Sequence, residues 1–203
     1  MGIHVEAGTA RIMKHDAWEP RRVMPSDEHN RPMSTIDPRT RIGHVHLTVS
    51  DLDRALTFYR DVLGFEVTSR YGRDAVFLSA GGYHHHIGLN TWAGRGAPSP
   101  AQGTTGLYHF AILYPDRKTL AEAVRRVLDA GVPLEGAADH SVSEAIYLRD
   151  PDGNGVELYR DRPERDWPRG PDGSITMHTG LWTSKTCSLK PTEAGLGCRG
   201  LGP

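Results

Sequence analysis

From Ile42 to Val49 (IGHVHLTV) polar and apolar residues alternate, with Val45, Leu47 and Val49 on one face and His44, His46 and Thr48 on the other. That is the period of a half-buried strand. The spacing then lengthens to three and four. In LDRALTFYRDVL the residues Leu52, Ala55, Leu56, Tyr59, Val62 and Leu63 form the apolar face of a helix, capped by Ser50 and stopped by Gly64. Short strands follow in FEVTSR, in DAVFLSA and, after a Gly-Gly turn, in YHHHIGLNTW. A Gly/Pro/Ser linker, AGRGAPSPAQGTTG, interrupts the pattern. The order then restarts. Leu107 to Tyr114 reads as a strand and Asp116 to Ala130 as a helix with Leu120, Ala123, Val124, Val127 and Leu128 inward. Gly131 ends that helix, and PLEGAADH, SEAIYLRD and GVELYRD supply three more strands.

The chain therefore carries two βαβββ modules, about 42–92 and 107–161, within one α+β domain over 41–162. His44 and His109, near the start of each opening strand, are 109 − 44 = 65 residues apart. One helix covers one face of each small sheet, and the second module is the natural shield for the rest. Two curved sheets side by side make a cup, lined by the strand faces that do not meet the helices. Residues 1–40 lack apolar period and read as a flexible N-terminal arm, with Met33 as an alternative start. The extension 163–203 reads as largely irregular.

Composition narrows the function. With 24 Lys+Arg against 25 Asp+Glu the formal net charge is -1, which argues against a nucleic-acid partner or an anionic membrane surface. No apolar run approaches the roughly 18 residues of a membrane span. The only two cysteines, Cys187 and Cys198, sit in the C-terminal extension, and the expected compartment is the cytoplasm. Histidine is the exception: there are 11, and His44, His46, His84, His85, His86, His109 and His140 fall in one half of the chain.

Alternation directs His44, His85, His109 and Glu157 toward the cup. Two imidazoles and one carboxylate from separate strands can hold non-heme Fe(II) with positions open to substrate and O₂, and the same donors accept Mn(II), Ni(II) or Zn(II). A single strand histidine is also commonly a hydrogen-bonded interior group, and the run 84–86 can be a surface cluster. Glu157, between Val156 and Leu158, is harder to explain as structure, because a buried carboxylate without a partner is costly. The DPDGNG segment is too short for a calcium loop and reads as a tight hairpin. No cysteine lies in the core, and no motif suggests a Ser-His-Asp nucleophile.

IGHVHLTVSDLDRALTFYRDVLGF, YHHHIGLN, GLYHFAIL and YLRDPDGNGVELY together resemble the vicinal oxygen chelate superfamily, which includes glyoxalase I, bleomycin-resistance proteins and extradiol dioxygenases. The resemblance covers about 41–161 and is nearest the catechol 2,3-dioxygenase branch. It implies His44 as first metal ligand, His85 as second through the pattern His85-His86-Ile87-Gly88-Leu89, and Glu157 after the DPDG turn as third. It implies His140, before Val-Ser-x-Ala, and Tyr147, ten residues before Glu157, as hydrogen-bonding catalytic residues, and His109 as a buried histidine that is a metal ligand in glyoxalase I. Two departures stand out. No histidine lies between Phe65 and Tyr83, where such dioxygenases carry an acid-base His, leaving His84, His86, His46 or Tyr71 as substitutes. The core also has two modules where most of that branch have four.

The resemblance implies an Fe(II)-dependent extradiol dioxygenase acting on a small catechol-like aromatic with O₂, with a homodimer left open. Alternatives are a glyoxalase-like lyase or isomerase using His44, His85, His109 and Glu157, and a non-catalytic small-molecule binding or resistance module.

Overall fold

The computed structural model describes residues 35–101 and 103–181. Met33, Cys187 and Cys198 lie outside them. Contacts divide the chain into units 1–41 and 42–203. In the first, the described residues include a turn closed by Thr40 N–H donating to Asp37 O at 2.9 Å. The second carries the two modules.

In module one, β1 (Val45–Thr48) leads to a helix, α1 (Leu52–Leu56), that continues as a π-helical turn over Thr57–Val62. The cap is Asp51 rather than Ser50: its carboxylate accepts from Arg54 N–H at 2.8 Å. The wider π turn buries Phe58, which falls outside the three- and four-residue spacing, together with Tyr59. Gly64, at φ 89°, ends the helix as expected. Three strands follow: β2 (Glu66–Tyr71), β3 (Ala75–Ser79) and β4 (Ile87–Asn90). The last returns to pair parallel with β1, giving the order β1-β4-β3-β2.

Module two repeats this with β5 (Phe110–Leu113), α2 (Arg117–Asp129), β6 (Leu134–Asp139), β7 (Ser143–Arg149) and β8 (Gly155–Asp161). Asp116 caps α2, whose Leu120, Ala123, Val124 and Val127 are buried. The order is β5-β8-β7-β6, extended at the far edge by β9 (Gly180–Leu181) from the C-terminal extension. A register shift recurs at the matching place in both sheets, between Val67 and Ser69 and between Leu134 and Gly136. Bulges of this kind increase local twist and bend the strand.

The helices and the inner sheet faces of both modules share one apolar cluster, including Leu56, Tyr59, Leu89, Val127 and Leu158. Polar bonds fix the join. Tyr59 donates to Asp150 Oδ2 at 2.7 Å, and Ser50 Oγ and Arg54 Nη2 both reach Asp152 Oδ1 at 2.6 Å. Burial, then the Asp150 charge, holds the Tyr59 phenol well above its ordinary pKa, so it remains a donor. The DPDGNG segment is a hairpin turn, as its length suggests, and its acids bind protein donors.

Candidate functional site

The strand registers lay one row of residues across each sheet. In module one the row is His46, Gly88, Phe77, Ser69. In module two it is Ala111, Glu157, Tyr147, Gly136. Small and large exchange places between the rows. A Cβ on Gly88 would sit 2.9 Å from the His46 ring, so His46 fills the space that the acid occupies in module two. Ala111 opposite Glu157 leaves that space to the carboxylate.

Glu157 is 8% exposed and is met from two sides. His109 Nε2, from the residue before β5, approaches Glu157 Oε2 at 3.0 Å. Tyr147 donates to Glu157 Oε1 at 3.4 Å, and His140 Nε2 lies 2.7 Å from the Tyr147 oxygen. Burial, then the Glu157 charge, pushes the Tyr147 phenol up to about 12. It is therefore protonated at neutral pH and available as a donor. His140 sits on the β6–β7 hairpin next to Ser141, whose φ of 66° makes it the one non-glycine residue in the left-handed region among the described residues. His109, Tyr147 and His140 border a cleft of about 400 Å³ lined also by Tyr108, Gly136, Arg149 and Thr179, and Glu157 is held behind its wall by His109 and Tyr147. Arg149 is held at its rim by Glu135, at 2.7 Å.

The hairpin that carries His140 is anchored from below. Glu144, fully buried, accepts from Arg117 Nε at 2.9 Å and Arg160 Nε at 2.8 Å, and Arg162 bonds both Glu144 and Asp139. Burial alone would raise the Glu144 pKa, but Arg160 and Arg117 outweigh it and the net shift is downward. Glu144 carries the same sequence signal as Glu157, an acid within a mainly apolar strand.

His44 and His85 lie together in module one, with ring centroids 4.4 Å apart, and His85 also packs on Phe77 at 5.0 Å. His85 Nδ1 faces His84 Nδ1 at 2.7 Å. Burial, then the neighbouring His44 and His84, keeps the His85 ring below its usual pKa and hence neutral. The expected ligands His44, His85 and Glu157 are thus distributed over two half-sites. Among the described residues, no three of His, Cys, Asp and Glu are placed to share a metal ion. The sequence signal for the His109–Glu157 pair was the parallel return of each module's last strand to its first, which makes the opening histidine a neighbour of the β8 acid.

The donor chemistry of His109 and Glu157, one imidazole and one carboxylate at a cleft, fits two ligands of a divalent ion. His109 Nδ1 is buried with no hydrogen-bond partner among the described residues, so the ring is held by Glu157 and by packing against Tyr108 and Tyr147. Among the described residues, no helix is long and apolar enough to cross a membrane.

A model of the Glyoxalase/Bleomycin resistance protein/Dioxygenase superfamily matches residues 41–158. Catechol-2,3-dioxygenase of Bacillus subtilis (strain 168) is 44% identical over 151 residues, 72% of this chain and 50% of that protein. Biphenyl-2,3-diol 1,2-dioxygenase 3 of Rhodococcus globerulus is 34% identical over 128 residues, 63% of this chain and 65% of that protein. The chain thus spans half to just under two thirds of these relatives. A solved glyoxalase/dioxygenase from Nostoc punctiforme overlays with a TM-score of 0.50 at 18% identity, covering 66% of this chain and all of that one, a likeness of fold. With the family match running through both modules, from the strand that follows His44 to the one that holds Glu157, the chain belongs to the glyoxalase/bleomycin resistance protein/dioxygenase superfamily and has its vicinal oxygen chelate fold.

Proposed function

We propose that the protein is an extradiol-type dioxygenase that opens a catechol-like aromatic ring with O₂. The observation that carries the reading is the connected run His140, Tyr147, Glu157, His109 at the cleft, with separations of 2.7, 3.4 and 3.0 Å. A ligand pair alone would suit a glyoxalase-like lyase equally well. The phenol and second imidazole beside it suit a diol, whose hydroxyl protons must be taken up and returned. The names of the Bacillus and Rhodococcus relatives support the same substrate class.

In this reading His109 and Glu157 hold a divalent ion, Fe(II) by preference, with Mn(II), Ni(II) or Zn(II) acceptable to the same donors. Once bound, the ion supplies Lewis acidity toward vicinal oxygens and a route for electrons to O₂. With substrate bound, Tyr147 turns its one O–H from Glu157 to a substrate oxygen as that oxygen gains negative charge. His140 passes its Nε2 proton into the cleft while Nδ1, on the Thr179 side, takes one up, so that a proton is relayed through the ring. The third imidazole is His44 of a second copy. Tyr108 (82% exposed), against His109, and Trp92 (60%), against His46, leave apolar surface open on each module, and β1 and β5 are sheet edges.

The test is anaerobic purification with Fe(II), followed by catechol and air. A coloured ring-fission product is expected. Uptake of metal with no O₂ consumption toward catechol or 2,3-dihydroxybiphenyl would overturn the dioxygenase reading. Glu157→Gln and His44→Ala should each abolish metal retention, measured by elemental analysis. Mixed and re-equilibrated, the two variants should recover about a quarter of the wild-type metal, since half the dimers are mixed and each keeps one intact site. A mixture that stays empty would show that His44 does not complete the site across copies.

A further inference from the structure

We infer that the C-terminal segment entering β9 is part of the site, with Thr179 a positioning residue that fixes the ring of His140. This rests on the dioxygenase reading only for its kinetic consequence.

The segment lies beyond the stretch shared with the superfamily, which ends at residue 158. It is tied down along its length. Trp167 Nε1 donates to Arg162 O at 2.8 Å, Thr176 N–H donates to Pro168 O at 2.9 Å, and Arg169 and Ile175 form an antiparallel bridge. The chain then pairs with the edge of β6, Gly180 opposite Asp139. This pairing flanks His140 directly: His178 N–H donates to His140 O at 3.3 Å, and Thr179 Oγ1 lies 3.5 Å from His140 Nδ1. Thr179 also lines the cleft.

Hydrogen-bond direction follows from the far end of the run. A carboxylate only accepts, so Tyr147 O–H points at Glu157. The Tyr147 oxygen is then free to accept, and neutral His140 donates to it from Nε2–H. That leaves Nδ1 as a bare acceptor, which Thr179 O–H satisfies. Thr179, His140 and Tyr147 thus donate in one direction, ending at Glu157 as the acceptor. Reversing the His140 tautomer would put two acceptors between His140 Nε2 and the Tyr147 oxygen. The side chain at 179 therefore selects the tautomer in which Nε2 carries the proton at the cleft. Thr179 is exposed, so its contribution is to orientation rather than to folding stability.

The experiment is nitrogen NMR of the full chain labelled with ¹⁵N-histidine, the His140 signals being those absent from His140→Gln. Wild type and Thr179→Ser should show His140 in the Nε2–H tautomer. Thr179→Val and His178→Pro, which removes the backbone donor, should show a mixture of tautomers. With catechol as substrate, Thr179→Val should lower kcat about fivefold, the worth of one net hydrogen bond, with KM little changed and Ser restoring the rate. Wild-type-like ring signals in both Val and Pro variants would overturn the inference. Absence of catechol turnover in the wild type would instead count against the dioxygenase reading, and the NMR result would still decide the role of Thr179.

Discussion

The two modules share strand order, helix placement and even the position of a bulge, yet only the second joins an acid and a phenol on its register row. Where module two has Ala111, Glu157, Tyr147 and Gly136, module one has His46, Gly88, Phe77 and Ser69. Tyr147 and Phe77 differ by one oxygen. Glu157 and Gly88 differ by a whole carboxylate whose space His46 takes. The β6–β7 hairpin is also longer: six residues, 139–144, lie between the paired Ala138 and Ala145, against three, 72–74, between Tyr71 and Ala75. Those added residues carry His140 and Glu144. The two modules of this chain therefore differ by side-chain choice on one register row and by a lengthened turn, on a shared scaffold.

Breaking the anchor of that turn should have the largest effect. Glu144→Gln removes the buried anion shared by three half-buried arginines and should cost about 3 kcal/mol in urea unfolding, the lower end for a broken buried pair. Because the folded-state pKa of Glu144 is lowered, its contribution is fully present above the ordinary carboxylate range and is lost as pH falls through the depressed folded value. Wild type should thus lose stability on acidification through and below pH 4.5, the ordinary value for this group, while the Gln variant lacks that component. An identical acid dependence in both would remove Glu144 from the account.

Tyr147→Phe makes the second row match the first at that position. Folding should survive within about 1 kcal/mol, and catechol turnover should fall on the order of 100-fold, the range for losing a positioned proton donor or acceptor. Unchanged turnover would mean that the row difference is not the catalytic one.

The smallest effects come from two glycines that pack on histidines. A Cβ on Gly155 would collide with the Tyr108 carbonyl and lie 2.9 Å from His109 Cβ, so Gly155→Ala should cost about 1–3 kcal/mol by overpacking against backbone. In Gly88→Ala the Cβ would lie 2.9 Å from His46 Cγ, an atom of an exposed side chain rather than of backbone, and a cost of about 1 kcal/mol or less is expected. Equal costs, read by thermal or urea unfolding, would show that the His46 side chain is as firmly fixed as the Tyr108–His109 backbone.

Most of the architecture was legible because it depends on period. The alternation around Leu47 and Val49, the spacing of Leu120, Ala123, Val124 and Val127, and the glycine stops each follow from local rules. Phe58 escaped because the helix widens there, and the cap moved from Ser50 to Asp51 because Ser50 is taken by Asp152, 102 residues away. The site was legible as a set of residue types but not as a set of neighbours. A pattern match picked out His85, whereas adjacency to Glu157 depends on which strand returns beside which, and that favoured His109. Thr179 gave no signal at all, since a hydroxyl in an aperiodic tail acquires a role only when the tail docks on β6.

The bond from Tyr59 to Asp150 joins the first helix of one repeat to the last turn of the other. An engineer wishing to lengthen this chain therefore has unequal choices. Extra residues between the repeats are best placed beyond Ala97, because Arg95 and Gly96 are bonded to Asp74 and Ser50 and hold the start of the linker on the first repeat. A single residue added to the Asp150–Gly153 turn would withdraw the carboxylates that grip Tyr59, Ser50 and Arg54, and would unfasten the two repeats from each other.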